Sequence, residues 1–146
     1  MNRPMKACVV MLAATLGLAA CTRQEIPVRG TIGPSLVVEQ FMRAANARDL
    51  TAMSRLFGTT KGPVASLYPK NEVEQRMALF AEELRHTDFE VTSEESVPGR
   101  SEEARQLILR ITKDDKKYNV PFTLVRYKGD SWLIEQFRLD VLTAPR

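Results

Sequence analysis

The sequence predicts an α+β domain in which three N-terminal helices pack on a curved four-stranded antiparallel sheet. Apolar residues recur at helical spacing as far as His86 and at every second residue beyond it. Turn-forming segments at 98–101, 113–117 and 128–130 then divide the C-terminal part into four short strands. Short connections of this kind join neighbouring antiparallel strands. About 110 residues remain for this unit, which is the usual size of one domain.

Three helices are predicted from apolar stripes and from the residues that precede them. Ser35, Asp49 and Asn71 are the predicted N-caps, because short polar side chains accept hydrogen bonds from the first free N–H groups of a helix. Residues 58–70, GTTKGPVASLYPK, separate the second helix from the third. Glycine and proline occur at both ends of this segment, so it is predicted to form a loop.

The strands are predicted to alternate between two faces. In the last strand, Trp132 and Ile134 fall on one face, and Leu133 and Phe137 fall on the other. Only one face can cover the helices, so the other is expected to be partly apolar and exposed unless something covers it. Pro121 has no N–H for the ladder and is expected at a bulge or an unpaired position.

The N-terminus has the three-part layout of a secretory signal. Arg3 and Lys6 precede an uncharged run from residue 7 to residue 20, which is too short to span a bilayer comfortably. The motif Leu18-Ala19-Ala20-Cys21 ends this run and resembles the lipobox of bacterial lipoproteins. The resemblance implies cleavage before Cys21 and diacylglycerol on its sulfur. The alternative is an ordinary secretory signal, with Cys21 as a free thiol.

The resemblance also implies an organisation and an address. Residues 1–20 are the signal peptide, 21–34 the lipidated cysteine and a flexible tether, 35–142 the domain and 143–146 a tail. Two or three acyl chains hold a protein on a membrane where one is marginal. The expected location is the bacterial cell envelope. Thr22 follows the cysteine, and the sorting rule of enteric lipoproteins then implies the outer membrane, facing the periplasm, in an organism with two membranes.

Charge and cysteine content limit the classes of partner. The chain has a net charge of +3, but Arg3 and Lys6 leave with the signal. Basic and acidic residues alternate in the remainder, so no nucleic-acid partner is expected. Cys8 also leaves with the signal, and the mature chain then has no thiol for a disulfide or a metal. Neither a metal nor a cofactor is predicted.

Two segments resemble the nuclear-transport-factor-2-like, cystatin-like superfamily. SLVVEQFMRAANARDLTAMSRLF resembles its opening helix pair, and GDSWLIEQFRLD resembles its last strand after a Gly-Asp turn. The resemblance implies a cone whose sheet wraps the helices and can leave a cavity, and it fits small bacterial lipoproteins of undefined activity. Some members are isomerases or dehydratases that use buried Asp, Tyr or His groups.

Two functions follow as alternatives. One is a non-catalytic envelope lipoprotein that binds a protein partner, a second copy of itself or a small apolar ligand. The other is a small cavity enzyme of the isomerase or hydratase type, for which no catalytic set is identified. A cone filled by Phe41, Phe80, Phe122 and Leu124 would favour the binder. An inward carboxylate beside a tyrosine in a deep pocket would favour the enzyme.

Four side chains are candidates for binding, each with a structural alternative. Tyr68, in the loop, is a candidate ligand contact or a packing residue. His86, the only histidine, is a candidate ligand residue or a helix-terminal residue stabilised by the helix dipole. Trp132 and Phe137 are candidates for a surface that binds a second copy or another envelope protein, and scattered surface apolar residues are the alternative.

Overall fold

The computed structural model describes residues 33–143 and confirms the α+β class. Residues 1–32, which hold the predicted signal, Cys21 and most of the tether, lie outside the described residues, as do 144–146. The elements in chain order are α1 (Pro34–Ala47), α2 (Leu50–Leu56), β1 (Gly58–Thr59), β2 (Gly62–Pro63), α3 (Val64–Leu67), α4 (Lys70–Glu83), β3 (Asp88–Ser96), β4 (Ala104–Lys113), β5 (Lys116–Tyr127), β6 (Ser131–Phe137) and α5 (Asp140–Thr143).

The first helix begins two residues earlier than the sequence predicts. Gly33 is the N-cap of α1 and Pro34 occupies its first turn, so the predicted Ser35 cap is wrong. Proline is favoured there because its φ is already helical and its missing N–H would have no partner in the helix. The Ser35 hydroxyl instead donates to Glu94 Oε2 at 3.2 Å, which ties the start of α1 to β3.

The two other predicted caps have opposite outcomes. Asp49 caps α2 as predicted, because its Oδ1 accepts from the N–H of Ala52 at 2.9 Å. The Asn71 cap is wrong: Pro69 is the N-cap of α4, which begins at Lys70 without a side-chain cap.

The segment predicted as a loop, 58–70, contains a small hairpin and a short helix. Gly58 pairs with Pro63 and Thr59 pairs with Gly62, and α3 follows at once. A Cβ at Gly58 would lie 2.2 Å from the carbonyl oxygen of Gly62, so only glycine allows this approach. Within residues 33–143, four helical segments therefore precede the main sheet and one follows it, where three were predicted.

The main sheet is the predicted antiparallel meander, in the order β3-β4-β5-β6. Pro121 pairs with Ile108, and its carbonyl accepts from Arg138 N at 3.2 Å. The nitrogen of a strand residue faces the same side as its carbonyl. Pro121 therefore directs its nitrogen to the side where β6 has already ended at Phe137, so its missing N–H costs no bond to β6. The predicted bulge or unpaired position is wrong, because Pro121 keeps its place opposite Ile108.

The core lies between the helices and one face of this sheet. Fully buried side chains come from α1, α2, α4, β4, β5 and β6, including Met42, Met77, Leu109, Phe122 and Ile134. A parallel bridge between Phe57 and Ile134 holds the start of the small hairpin beside β6. One face of the sheet therefore packs against the helices, and the other face points away from them.

Candidate functional site

Five phenylalanine rings occupy the space between the helices and the sheet. Phe41 of α1, Phe57 after α2, Phe80 of α4, Phe122 of β5 and Phe137 of β6 contact one another with ring centroids between 4.9 and 6.2 Å apart. Tilted and offset arrangements of this kind are the favoured aromatic geometries. The interior is filled at the place where a cone could hold a ligand.

The polar content of the core is low. Among residues 33–143, the buried polar side chains are Ser54 and Thr123, and no carboxylate, histidine or tyrosine is buried. The Ser54 hydroxyl donates to the Thr51 carbonyl at 2.8 Å, as expected for a serine within a helix. An enzyme that moves protons inside the core needs a buried titratable group whose pKa is shifted by burial. The described interior supplies none.

His86 lies at the junction of α1, α4 and β3. Its backbone is held by the Asn46 side chain: Asn46 Nδ2 donates to the His86 carbonyl at 3.0 Å, and His86 N donates to Asn46 Oδ1 at 3.2 Å. The ring nitrogen Nδ1 donates to the Leu84 carbonyl at 2.7 Å, and the ring packs edge-on against Phe89. These contacts are those of a residue that closes the end of a helix.

A shallow groove of about 280 Å³ runs beside His86. Arg85, Thr87, Lys113 and Asp114 line the rest of it, so cations and a carboxylate share the same walls. Lys113 Nζ donates to the Glu83 carbonyl at 2.9 Å, which satisfies one of the last carbonyls of α4. The role of His86 as a ligand residue stays a prediction.

Tyr68 lies between α3 and α4 and is 47% exposed. The guanidinium of Arg76, on α4, lies 5.6 Å from the centre of its ring, within the range of a cation–π contact. A groove of about 200 Å³ opens next to this segment between α2, α3 and α4, lined by Ser54, Arg55 and Lys70 among others. Tyr68 is absent from its lining, so the predicted ligand contact stays a prediction.

Trp132 lies on the helix-facing side of the sheet and is only 7% exposed. Arg105 and Arg126 lie over its ring, at 5.8 and 5.2 Å from the ring centre. The alkyl parts of such side chains cover apolar surface while their charges remain in water. Trp132 therefore packs within the domain, and its predicted partner role is not tested by this placement.

The predicted face of Phe137 is wrong. Leu124 pairs with Ile134 but Thr123 pairs with Gln136, so Glu135 is an extra residue in β6. A bulge of one residue reverses the alternation beyond it. Phe137 consequently lies on the same face as Ile134, where it contacts four other phenylalanine rings.

The apolar part of the other sheet face is small and is covered by the domain itself. Ala104, Val125 and Leu133 form a second buried cluster, against which Val97 and Tyr127 pack. The expected exposed apolar face is therefore not found on these strands. The turn before β4 is held over this face by a bond from Arg100 Nη1 to Glu135 Oε2 at 3.0 Å.

The Arg100–Glu135 pair also stabilises the charged form of Arg100. The carboxylate of Glu135, which hydrogen-bonds to the guanidinium, raises the pKa of Arg100 above its already high ordinary value.

A polar row lies beside this second cluster. Gln106, Thr123 and Gln136 are paired across β4, β5 and β6. They line a groove of about 240 Å³ together with Arg138 and Asp140 at the end of the sheet. The Arg138 guanidinium bonds to the carboxylate and lowers the pKa of Asp140 below its ordinary value. This face is suited to polar contacts rather than to an apolar ligand.

Residues 33–143 contain neither a cluster of metal-ligating side chains nor a membrane-spanning helix. The described side chains contain no group of three or more His, Cys, Asp or Glu residues placed to hold a metal ion. No helix in the same range is both long and apolar enough to cross a membrane. Cys21, the predicted lipidation site, lies outside the described residues.

Comparisons with protein-family models, with curated proteins and with solved structures gave no significant match to this chain.

Sequence reasoning missed the contacts that join distant segments. Asn46 holds His86, Arg76 stacks on Tyr68, and Arg100 bonds to Glu135. The partners are separated by 8 to 40 residues in the chain, and neither composition nor spacing marks them. Only the pair of Arg126 and Trp132 could have been found, because a short turn at 128–130 sets their register directly.

Proposed function

We propose that this chain is a lipid-anchored, non-catalytic lipoprotein of the bacterial cell envelope, which binds its partner through the outside of its α+β domain. The observation that carries the proposal is the motif Leu18-Ala19-Ala20-Cys21 after a positively charged start and an uncharged apolar run. Cysteine is required at that place because its thiolate is the strongest side-chain nucleophile for alkylation. Acyl chains on Cys21 would fix the domain near a bilayer, in the outer membrane and facing the periplasm in an organism with two membranes.

We further propose that the domain is a cone of the nuclear-transport-factor-2-like kind. The order of elements supports this, since helices come first and a four-stranded meander follows. Bulges in β3 and β6 support it as well, because a bulge bends and twists its strand, and a sheet that wraps helices must be curved.

The filled interior supports a binding role over the cavity enzyme. Phe41, Phe122 and Leu124 are fully buried, and Phe80 completes the ring cluster with Phe57 and Phe137. An isomerase or hydratase of this architecture needs a cavity with a titratable group in it. The described core offers phenylalanine rings at that place, so recognition is assigned to the exterior.

The experiment that tests the anchor compares the native protein with Cys21→Ser in its own host. Intact-mass measurement should find the native chain starting at Cys21 and carrying the mass of two or three acyl chains. Cys21→Ser should lack that mass and should leave the membrane fraction. An unlipidated native protein, or one that starts at another residue, would contradict the proposal.

A further inference from the structure

One surface of the domain combines exposed apolar side chains with cations. The Tyr68 patch, defined as Leu67, Tyr68, Arg76 and Leu79, contains three of the four large apolar side chains that are exposed among residues 33–143. Their exposed fractions are 39% for Leu67, 47% for Tyr68 and 57% for Leu79. Exposed apolar groups that cluster in this way mark an interaction surface more often than scattered ones do.

Arg76 connects the members of the patch. Its guanidinium stacks on the ring of Tyr68 at 5.6 Å, and Leu79 lies three residues further along α4. Residues three apart are neighbours on a helix surface. Leu67 directly precedes Tyr68 in the chain, so the patch extends from the end of α3 along one side of α4.

The chain around the patch is basic. Residues 50–71 contain Arg55, Lys61 and Lys70 and no acidic residue. Extending the range to Arg76 adds one cation and the two carboxylates Glu72 and Glu74, so residues 50–76 have a net charge of +2. Glu74 pairs with Lys70 at 3.6 Å.

The other three cations of this range, Arg55, Lys61 and Arg76, take part in no ion pair among the described residues. Their charges therefore remain available to an external anionic surface.

We infer that the Tyr68 patch docks the domain onto the anionic surface of the bilayer that holds its lipid anchor. This inference depends on the proposed anchor at Cys21. Tyrosine places an apolar ring and a polar tip at a membrane interface. Lysine and arginine around it contact lipid phosphates, and each contributes to binding at a negatively charged leaflet. Leucines beside them insert among the headgroups as the apolar side of an interfacial segment does.

The length of the tether permits this orientation. Eleven residues, 22–32, separate Cys21 from Gly33. They can span at most roughly 40 Å when extended. A domain of this size has a radius of gyration near 13 Å, so its diameter is about 34 Å. The extended tether is therefore slightly longer than the domain is wide, so most of the domain surface can turn toward the bilayer, and the chemistry of the surface decides which part does.

The test uses the full, lipidated chain in vesicles. A spin label is placed at Leu79→Cys, which lies in the patch and is exposed enough to substitute without unfolding the domain. Gln136→Cys is the matched control, because Gln136 is also exposed but lies on the outer sheet face. Each protein is reconstituted into phosphatidylcholine vesicles and into vesicles in which part of this lipid is replaced by phosphatidylglycerol. Accessibility to oxygen and to a water-soluble relaxing agent is then measured.

In phosphatidylglycerol vesicles, the label at position 79 should gain oxygen contact and lose contact with the aqueous agent, while the label at 136 should stay aqueous. Arg55→Gln and Lys61→Gln each remove a cation that has no ion pair among the described residues, so each should lower the docked-to-free ratio roughly fivefold on an anionic surface. Tyr68→Ser should weaken docking in both vesicle types.

Four results would overturn the inference. If the label at position 79 stays accessible to the aqueous agent on a lipidated chain, the patch does not dock, although the proposed anchor still stands. If protection of the label at position 79 rises with the amount of protein per vesicle and not with the phosphatidylglycerol content, the patch binds a second copy of the chain. If the label at position 136 is protected equally, the Tyr68 patch is not the surface that faces the bilayer. A chain without acyl groups by mass removes the anchor and the docking together.

Discussion

Replacing Phe137 by alanine tests whether this residue supports the core or presents a surface. Its ring contacts those of Phe41, Phe57, Phe80 and Phe122, at centroid distances of 5.9, 6.0, 4.9 and 5.0 Å. Phe→Ala in a core costs about 3–5 kcal/mol. Phe137 is only partly buried, so we expect the low end, about 3 kcal/mol of the free energy of unfolding.

The assay is urea unfolding of the protein without residues 1–20 and with Cys21→Ser, followed by the fluorescence of Trp132, the only tryptophan in the chain. Phe137→Leu keeps most of the volume and should cost about 1 kcal/mol. Gln136→Ala, one residue away on the outer face, should change stability by less than about 0.5 kcal/mol.

Sedimentation of the same proteins provides the second measurement, because a core residue has no direct effect on association. A loss below about 1 kcal/mol for Phe137→Ala, together with weaker self-association, would refute the placement and return Phe137 to the partner surface. Trp132→Ala is compared by sedimentation alone, because it removes the fluorescence probe of the unfolding assay; Trp132 is the other residue predicted for that surface.

Two further predictions concern a cap and an ion pair. Asp49→Ala should cost about 1 kcal/mol of stability in the same assay, because the N–H of Ala52 in α2 loses its acceptor, whereas Asp49→Asn should cost little. Arg138→Gln should raise the pKa of Asp140 toward its ordinary value in a carboxyl NMR titration. Because the pKa of Asp140 is lowered in the folded protein, this pair contributes stability above the ordinary carboxyl pKa and loses it as the pH falls. An unchanged pKa would show that the guanidinium does not act on this carboxylate.

Most of the element order could be predicted because it depends on local periodicity. The change of spacing after His86 gave the helix-to-sheet boundary, and the turns at 98–101 and 128–130 gave the meander. Helix starts were less predictable. Ser35 and Asn71 have the side chains of caps. A proline one or two residues earlier already has a helical φ, so each helix starts earlier in the chain than its predicted cap implies.

The candidate site depended on features that local pattern does not contain. Phe137 was assigned to the wrong face because one extra residue, Glu135, reverses the alternation of β6. The hairpin at 58–63 was missed because its strands are two residues long and depend on the close approach of Gly58 to Gly62. Both errors have the same origin: a single residue, Glu135 or Gly58, changes the local path of the backbone.

The phenylalanine cluster also limits how this domain can bind a ligand. Each ring comes from a different element: Phe41 from α1, Phe57 from the end of α2, Phe80 from α4, Phe122 from β5 and Phe137 from β6. Opening a cavity would require one ring to leave, at a cost of about 3 kcal/mol. That cost would lower the affinity for any ligand in the core by more than about a hundredfold. A patch that is already exposed, such as the one around Tyr68, requires no such rearrangement. Binding at the surface is therefore favoured by the packing of the core itself.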